Sequence, residues 1–346
     1  RVPRCSSSRR SATSRWTPIA DHARATRVRL ALALLGTVAL VILVRRAGVA
    51  GIAARLRDLD PRWLALCAGI EAAIFSGYAI RWGRILAAAG ARASFGRLLG
   101  ARLAGISVGA LAPGAKVGGE PLRALLLAEA GVSAGPAIAS VVVDRGIELL
   151  ANVAFAGGYC ALFAMRDAEG ARRVLPVVLA SGIGLLGAAI VLARRLGRGA
   201  SLVPSRFLPV LERFGGTRAA LVETESALRK LLFDHRPLLF VALVSALFLN
   251  ALVFAEYAAL FAAFGARPSL PELAGSLLGV GLAHALPVPG SIGALEVAQA
   301  ALVGAAGGDA SLAITAATAA RLRDLAWTLP GLAWLVVGTR PREHRI

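Results

Sequence analysis

Three ionisable residues, Lys116, Glu120 and Arg123, lie within eight residues of one another in the stretch PGAKVGGEPLRALLL (113–127). Arg145 and Glu148 follow, three residues apart, and the same acid-and-base spacing returns in Arg321 and Asp324, with Glu296 ahead of them. Residues at that spacing share a helix face. Carboxylates and guanidinium groups so placed can form ion pairs, move protons or hold a charged head group. A helix starting just after Pro113-Gly114 or Pro289-Gly290 presents free backbone N–H groups and a positive dipole end, which suits a phosphate or carboxylate. Gly118 and Gly119 would let such a group approach the backbone closely. Soluble chemistries fit poorly. GAKVGGE lacks the GxxxxGK[ST] of a phosphate-binding loop, and HExxH is absent. The three cysteines contain no CxxC, so neither a zinc site nor a disulfide framework is supported, and no cofactor or metal is expected.

The elements that must position these residues are set by composition. The chain has 346 residues, 57% hydrophobic and only 17% charged, against roughly 25% charged in soluble domains. Several apolar runs approach or exceed the roughly 18–20 residues needed to cross a bilayer. The expected class is therefore an all-α polytopic membrane protein. Its net charge of +19 is almost entirely Arg, placed between apolar runs where cytoplasmic loops collect it, and nucleic-acid binding is not expected.

Crossing helices are expected at about 28–44, 63–80, 137–164, 174–193, 237–264 and 310–338. Two further apolar stretches, about 97–130 and 270–308, are broken by LAPGAKVGG and LPVPGSIG and read as helical hairpins, re-entrant or fully crossing. Residues 1–27 form a basic tail, read as a truncated or misassigned start or as a disordered cytoplasmic segment; 339–346 is a second basic tail. Residues 28–338 make one transmembrane domain. The Arg-rich segment 194–236 has apolar residues at helical intervals and reads as an amphipathic element on the cytoplasmic face, against membrane or protein. It puts both termini inside, although the Arg-containing loop 45–62 then faces outward.

Shifting the chain by 176 residues lays one broken hairpin on the other without a gap. Pro113-Gly114 falls on Pro289-Gly290, Glu120 on Glu296, Gly131 on Gly307, Arg145 on Arg321 and Glu148 on Asp324. Residues 105–150 and 281–326 share 13 identities in 46 positions. Each half, about 63–164 and 239–338, reads as helix, broken hairpin, helix. Equivalent points are separated by three crossings, so the halves are expected to be inverted repeats, an architecture of secondary transporters. An ionised residue at the bilayer centre costs about 2.5–3.5 kcal/mol, so these charges need a purpose. Either Glu120–Arg145 and Glu296–Arg321 pin each hairpin to the following helix, or they contact substrate. Lys116 and Arg123 face Ile292 and Gln299 in the second half, and Asp144 faces Ala320. Arg323 faces Ile147; Glu71 faces Leu247 and reads as a further partner or a proton carrier.

At PGAKVGGEPLRALLL, ASVVVDRGIELL (139–150), PVPGSIGALEVAQAAL (287–302) and ARLRDLAWTLPGLAWL (320–335) the chain resembles the lysylphosphatidylglycerol synthase transmembrane, or flippase-like, family. The wording is similar to the branch associated with hopanoid biosynthesis, although SIGALE stands where many relatives carry Gly-Gly. The resemblance implies an inner-membrane protein that moves a lipid between leaflets or toward the outer envelope. With the charged repeat, this reading places a head-group path at Pro113, Gly114, Lys116, Gly118, Gly119, Glu120, Arg123, Arg145, Glu148, Pro289, Gly290, Glu296, Arg321 and Asp324. Partners implied are a membrane lipid and lipid-biosynthetic enzymes. Nothing after residue 338 reads as an aminoacyl-transferase domain, so enzymatic activity is not expected. An ion-coupled carrier of a small solute and an intramembrane lipid-modifying enzyme are the alternatives.

Overall fold

The computed structural model describes residues 60–111, 119–203, 218–285, 291 and 294–337. Among them the protein is all helical: α1 (Pro61–Ala88), α2 (Phe95–Leu111), α3 (Gly119–Glu129), α4 (Ala134–Ala164), α5 (Ala168–Gly197), α6 (Arg218–Arg229), α7 (Arg236–Ala263), α8 (Leu270–Ala285), α9 (Ala294–Ala305) and α10 (Ala310–Val337). A π-helical turn, Lys230–Asp234, joins α6 to α7. Helices α1, α4, α5 and α7 are long and apolar enough to cross a membrane. Helix α10, at 28 residues, is long enough but carries Arg321, Arg323 and Asp324. The helix expected at 28–44 and both terminal tails lie outside the described residues.

Helix α1 runs further than the crossing expected at about 63–80. The helix continues to Ala88 with Arg81 buried, because carboxylates on α4 receive that charge. Its start is set by Pro61 in the first turn and by the Asp60 side chain, which accepts from Arg62 N at 2.9 Å. Helices α1, α3, α7 and α9 all end in one way. Gly90, Gly131, Gly265 and Gly307 have φ of +100°, +86°, +73° and +87°. The following residue then donates its N–H five residues back, as in Ala91 to Leu86, Val132 to Leu127, Ala266 to Phe261 and Gly308 to Val303. At Gly131 and Gly307 an added Cβ meets nothing within 4 Å, so substitution there isolates backbone strain. Gly131→Ala and Gly307→Ala should each lower stability by about 1 kcal/mol, read as a lower midpoint in thermal unfolding of detergent-solubilised protein.

The helix lengths run 28, 17, 11 and 31 residues in α1–α4, and 28, 16, 12 and 28 in α7–α10. Helix α1 packs along α7, α2 along α3, and α8 along α9. Across the halves, α2 packs on α10 and α8 on α4. Helices α1 and α7 run antiparallel: Asp60 N donates to Ala263 O at 3.2 Å, and Cys67 Sγ donates to Glu256 O at 3.7 Å. Near its middle, Gly77 of α1 abuts Leu249 of α7.

Small residues bring the hairpin limbs together. A Cβ on Gly119 would stand 2.0 Å from the Gly105 carbonyl oxygen, and one on Gly279 would stand 2.9 Å from Gln299 N. Where α10 meets α2, a Cβ on Gly331 would lie 2.5 Å from Leu103 O. One buried core joins Trp82 and Leu86 of α1, Ala101 and Ala104 of α2, Leu126 and Leu127 of α3, Ala137 and Val141 of α4, and Leu335 of α10. Helix α5 lies outside it and exposes Val177, Leu179, Ile183, Leu186 and Val191, a surface suited to lipid tails. Within the segment expected to be amphipathic, α6 buries Ala220, Thr224, Ala227 and Leu228 and packs on α4. That part therefore rests on the protein itself; residues 204–217 lie outside the described set.

Candidate functional site

Helix α1 places Tyr78, Arg81 and Trp82 on one face, and α4 places Asp144 and Glu148 one turn apart. Asp144 is fully buried and accepts from three arginines on three helices. Its Oδ1 accepts from Arg81 Nε at 2.9 Å; its Oδ2 accepts from Arg102 Nη1 at 3.0 Å and Arg123 Nη2 at 2.8 Å. Arg102 also donates from Nη2 to Glu148 Oε2 at 2.7 Å. Aromatic faces cover what the acids leave: the Tyr78 ring centre is 3.9 Å from Arg102 Cζ, and the Trp82 ring centre is 4.1 Å from Arg123 Cζ. Trp82 is itself fixed, its Nε1 donating to Ser140 Oγ at 3.1 Å.

At the edge of this network the surroundings become wetter. Arg145 donates from Nη1 to Glu148 Oε1 at 2.9 Å and pairs with Glu120 Oε1 through Nε at 3.1 Å. The Arg145 and Glu120 side chains are 26% and 22% exposed, whereas Arg81, Arg102, Arg123 and Asp144 are 5% or less. The first cluster thus contains four guanidinium groups and three carboxylates.

The second half repeats the outer pair but not the dry core. Arg321 of α10 holds Glu296 of α9 with two of its nitrogens and also donates to the Ser291 carbonyl. This pair too is partly exposed, at 15% and 25%. Beside it, Arg323 Nη1 lies 2.8 Å from Glu256 Oε1 and 4.0 Å from Glu71 Oε2, and its Nη2 lies 2.8 Å from Asp324 Oδ1. Around Arg323 one guanidinium group meets three carboxylates. Glu71 and Arg81 stand ten residues apart on α1, which spaces the clusters by roughly 15 Å along that helix.

Several expected residues therefore meet. Glu120, Arg145 and Glu148 join in one cluster; in the second half Glu296 pairs with Arg321, and Asp324 pairs with Arg323. Arg123 turns to buried Asp144 and stands behind the outer pair. Gly119 serves the close approach of α3 to α2. Pro113, Gly114, Lys116, Gly118, Pro289 and Gly290 lie outside the described residues. Sequence reading missed Arg81, Arg102 and Glu256 altogether, and gave Asp144 no role. Their partners lie 63, 42 and 67 residues away. The available signal was charge inside helices of otherwise membrane-spanning composition. Among the described residues, no three His, Cys, Asp or Glu side chains gather as a metal site.

A bundle of apolar helices with two short-limbed hairpins and ion pairs buried in its interior is a polytopic membrane protein with charge within its transmembrane body. The chain belongs to the lysylphosphatidylglycerol synthase TM region family, whose model matches residues 28–331. It is also similar to a UPF0104 membrane protein from Methanothermobacter thermautotrophicus, with 26% identity over 304 residues, covering 84% of this chain and 89% of that protein. No solved structure matches the chain.

Proposed function

We propose that the protein is a flippase-like lipid translocator of the bacterial inner membrane, with both termini cytoplasmic. Its cargo is an amphiphile, a phospholipid, polyprenyl-linked lipid or hopanoid, moved between leaflets or toward the outer envelope. The two halves act as inverted repeats. Support comes from the matching helix lengths, the matched left-handed glycines Gly131 and Gly307, the reciprocal packing of α2 on α10 and α8 on α4, and the antiparallel α1–α7 pair. Helices α3 and α9, at 11 and 12 residues, span roughly 17–18 Å against a hydrocarbon core of roughly 30 Å. Each is a half-helix, and the hairpins are re-entrant.

One observation carries the reading: the two ion pairs present in both halves, Glu120–Arg145 and Glu296–Arg321, are partly open to their surroundings, whereas Asp144 and its three arginines are sealed. A head group passing each hairpin would exchange into these pairs while its tails stay in lipid, with one half rocking against the other. Asp144 and its arginines are sealed and hold the frame.

The test is reconstitution into liposomes containing a fluorescent phospholipid, with movement read by chemical quenching of the outer leaflet. Glu120→Gln and Glu296→Gln should each slow movement by about tenfold or more, the loss expected when about 1.4 kcal/mol of stabilisation is removed from the transition state. Wild-type rates in properly inserted variants would remove the two pairs from the path.

A further inference from the structure

The cluster around Arg323 has an excess of carboxylates that its one arginine does not match. We propose that Glu71 and Glu256 form a proton-binding site whose occupancy couples lipid movement to the transmembrane proton gradient. This rests on the translocator reading and supplies its energy source.

The geometry starts at Arg323. One of its nitrogens, Nη1, serves both Glu256 Oε1 at 2.8 Å and Glu71 Oε2 at 4.0 Å, while Nη2 is taken by Asp324 at 2.8 Å. Arg321 is committed to Glu296. Glu256 is 1% exposed, and its second oxygen, Oε2, is buried with no hydrogen-bond partner. A carboxylate oxygen with no donor in a dry interior asks for a hydrogen. Adding one proton to the pair makes Glu71, Glu256 and Arg323 neutral as a group, and gives Oε2 its missing hydrogen.

A route for that proton is laid out by exposure. Side-chain exposure falls from 48% at Asp324 through 20% at Arg323 and 10% at Glu71 to 2% at Glu256. An aspartate open to that degree on a membrane helix faces water rather than lipid. A proton from that water forms an O–H bond on the glutamate pair and leaves by the same atoms when the site opens to the other side. Among the described residues, no cation besides Arg323 pairs with Glu71 or Glu256. Cys67 of α1 donates to the Glu256 backbone, and the Tyr257 ring of α7 lies 5.5 Å from Arg323 Cζ. From α4, Tyr159 stacks on Phe254; from α8, Glu272 accepts from Ser269 N at 2.6 Å.

The placement also explains how occupancy would act on shape. Glu71 is on α1, Glu256 on α7 and Arg323 on α10, so the pair ties the α1–α7 seam to the last helix of the second half. Protonation weakens the hold of Arg323 on both glutamates and frees α10 from that seam.

Two measurements decide the matter, one independent of lipid movement. Infrared spectra of purified protein should show the carbonyl stretch of a protonated carboxyl group, lost in Glu256→Gln; absence of the band, or its persistence in both Glu256→Gln and Glu71→Gln, would overturn the site. In proteoliposomes, an imposed pH gradient should change the initial rate of lipid movement by about fivefold or more, the lower end of ordinary coupling between sites. Glu256→Gln should still move lipid but ignore the gradient. Glu71→Gln is the second variant should Glu256→Gln fail to fold, and Glu169→Gln on exposed α5 is the control. Gradient response retained in both variants, or response to sodium in place of protons, would overturn the coupling. Absence of lipid movement by wild type under every gradient would sink the translocator reading, while the infrared band would still decide whether the glutamates hold a proton.

Discussion

Replacing Asp144 with Ala should destabilise the protein by about 3–5 kcal/mol, the cost of breaking a buried ion pair by removing one partner. Three arginines, each under 5% exposed as residues, converge on this carboxylate. Glu148 reaches Arg102 at 2.7 Å and Arg81 only at 3.6 Å, and it makes no pair with Arg123. Removal of Asp144 therefore leaves Arg123 with the Trp82 face as its remaining contact. Asp144→Asn retains the shape and part of the hydrogen bonding but loses the charge, and should fall between wild type and Asp144→Ala. The reading is the midpoint of thermal unfolding in detergent, with the yield of monodisperse protein as a second measure. An Asp144→Ala variant as stable as wild type would mean that the arginines do not depend on this acid. The complementary change, Arg123→Leu, should be far milder, because Asp144 keeps two guanidinium partners.

The second large effect is steric. Gly119→Val should cost about 3 kcal/mol, at or beyond the upper end of ordinary overpacking. The new Cβ would stand 2.0 Å from the Gly105 carbonyl oxygen and 2.7 Å from its carbon. Both are backbone atoms, so no rotamer change relieves the clash, and α3 must separate from α2. That separation carries Glu120 away from Arg145, so lipid movement should fall with stability. Gly146→Ala on α4 is the matched comparison: a Cβ there meets nothing within 4 Å, and helix propensity favours Ala by about 1 kcal/mol. Thermal unfolding of the two variants side by side separates a general intolerance of glycine replacement from this one contact.

These two sites differ in how far the amino-acid sequence reveals them. Gly119 was legible as a place of close approach to the backbone, read in the sequence as room for a head group; in the structure the Gly105 backbone takes that place. The outer ion pairs were legible too, since sliding the chain on itself aligns Glu120 with Glu296 and Arg145 with Arg321. That same comparison hid Asp144. Its counterpart is Ala320, and the counterparts of Arg81 and Arg102 are Tyr257 and Leu278, so a repeat search discards the most buried acid among the described residues. Its partners come from three other helices, and no local spacing announces a contact across 63 residues. The end of α1 was misplaced for the same reason. Arg81 resembles an interfacial arginine until α4 is packed beside it, and Glu256 resembles an isolated mid-helix charge until Arg323 arrives from α10.

The order of these partners along the chain bears on how the protein is made. Arg81, Arg102 and Arg123 all leave the ribosome before Asp144. At about 5–20 residues per second, the 63 residues from Arg81 to Asp144 take on the order of 3–12 s. Once Arg123 has emerged, the nascent chain holds three guanidinium groups whose shared acid is still 21 residues away. Helix α1 released into lipid on its own would carry Arg81 unpaired, at a cost of about 2.5–3.5 kcal/mol at the bilayer centre. Helices α1, α2 and α3 therefore reach their paired state only once α4 has joined them.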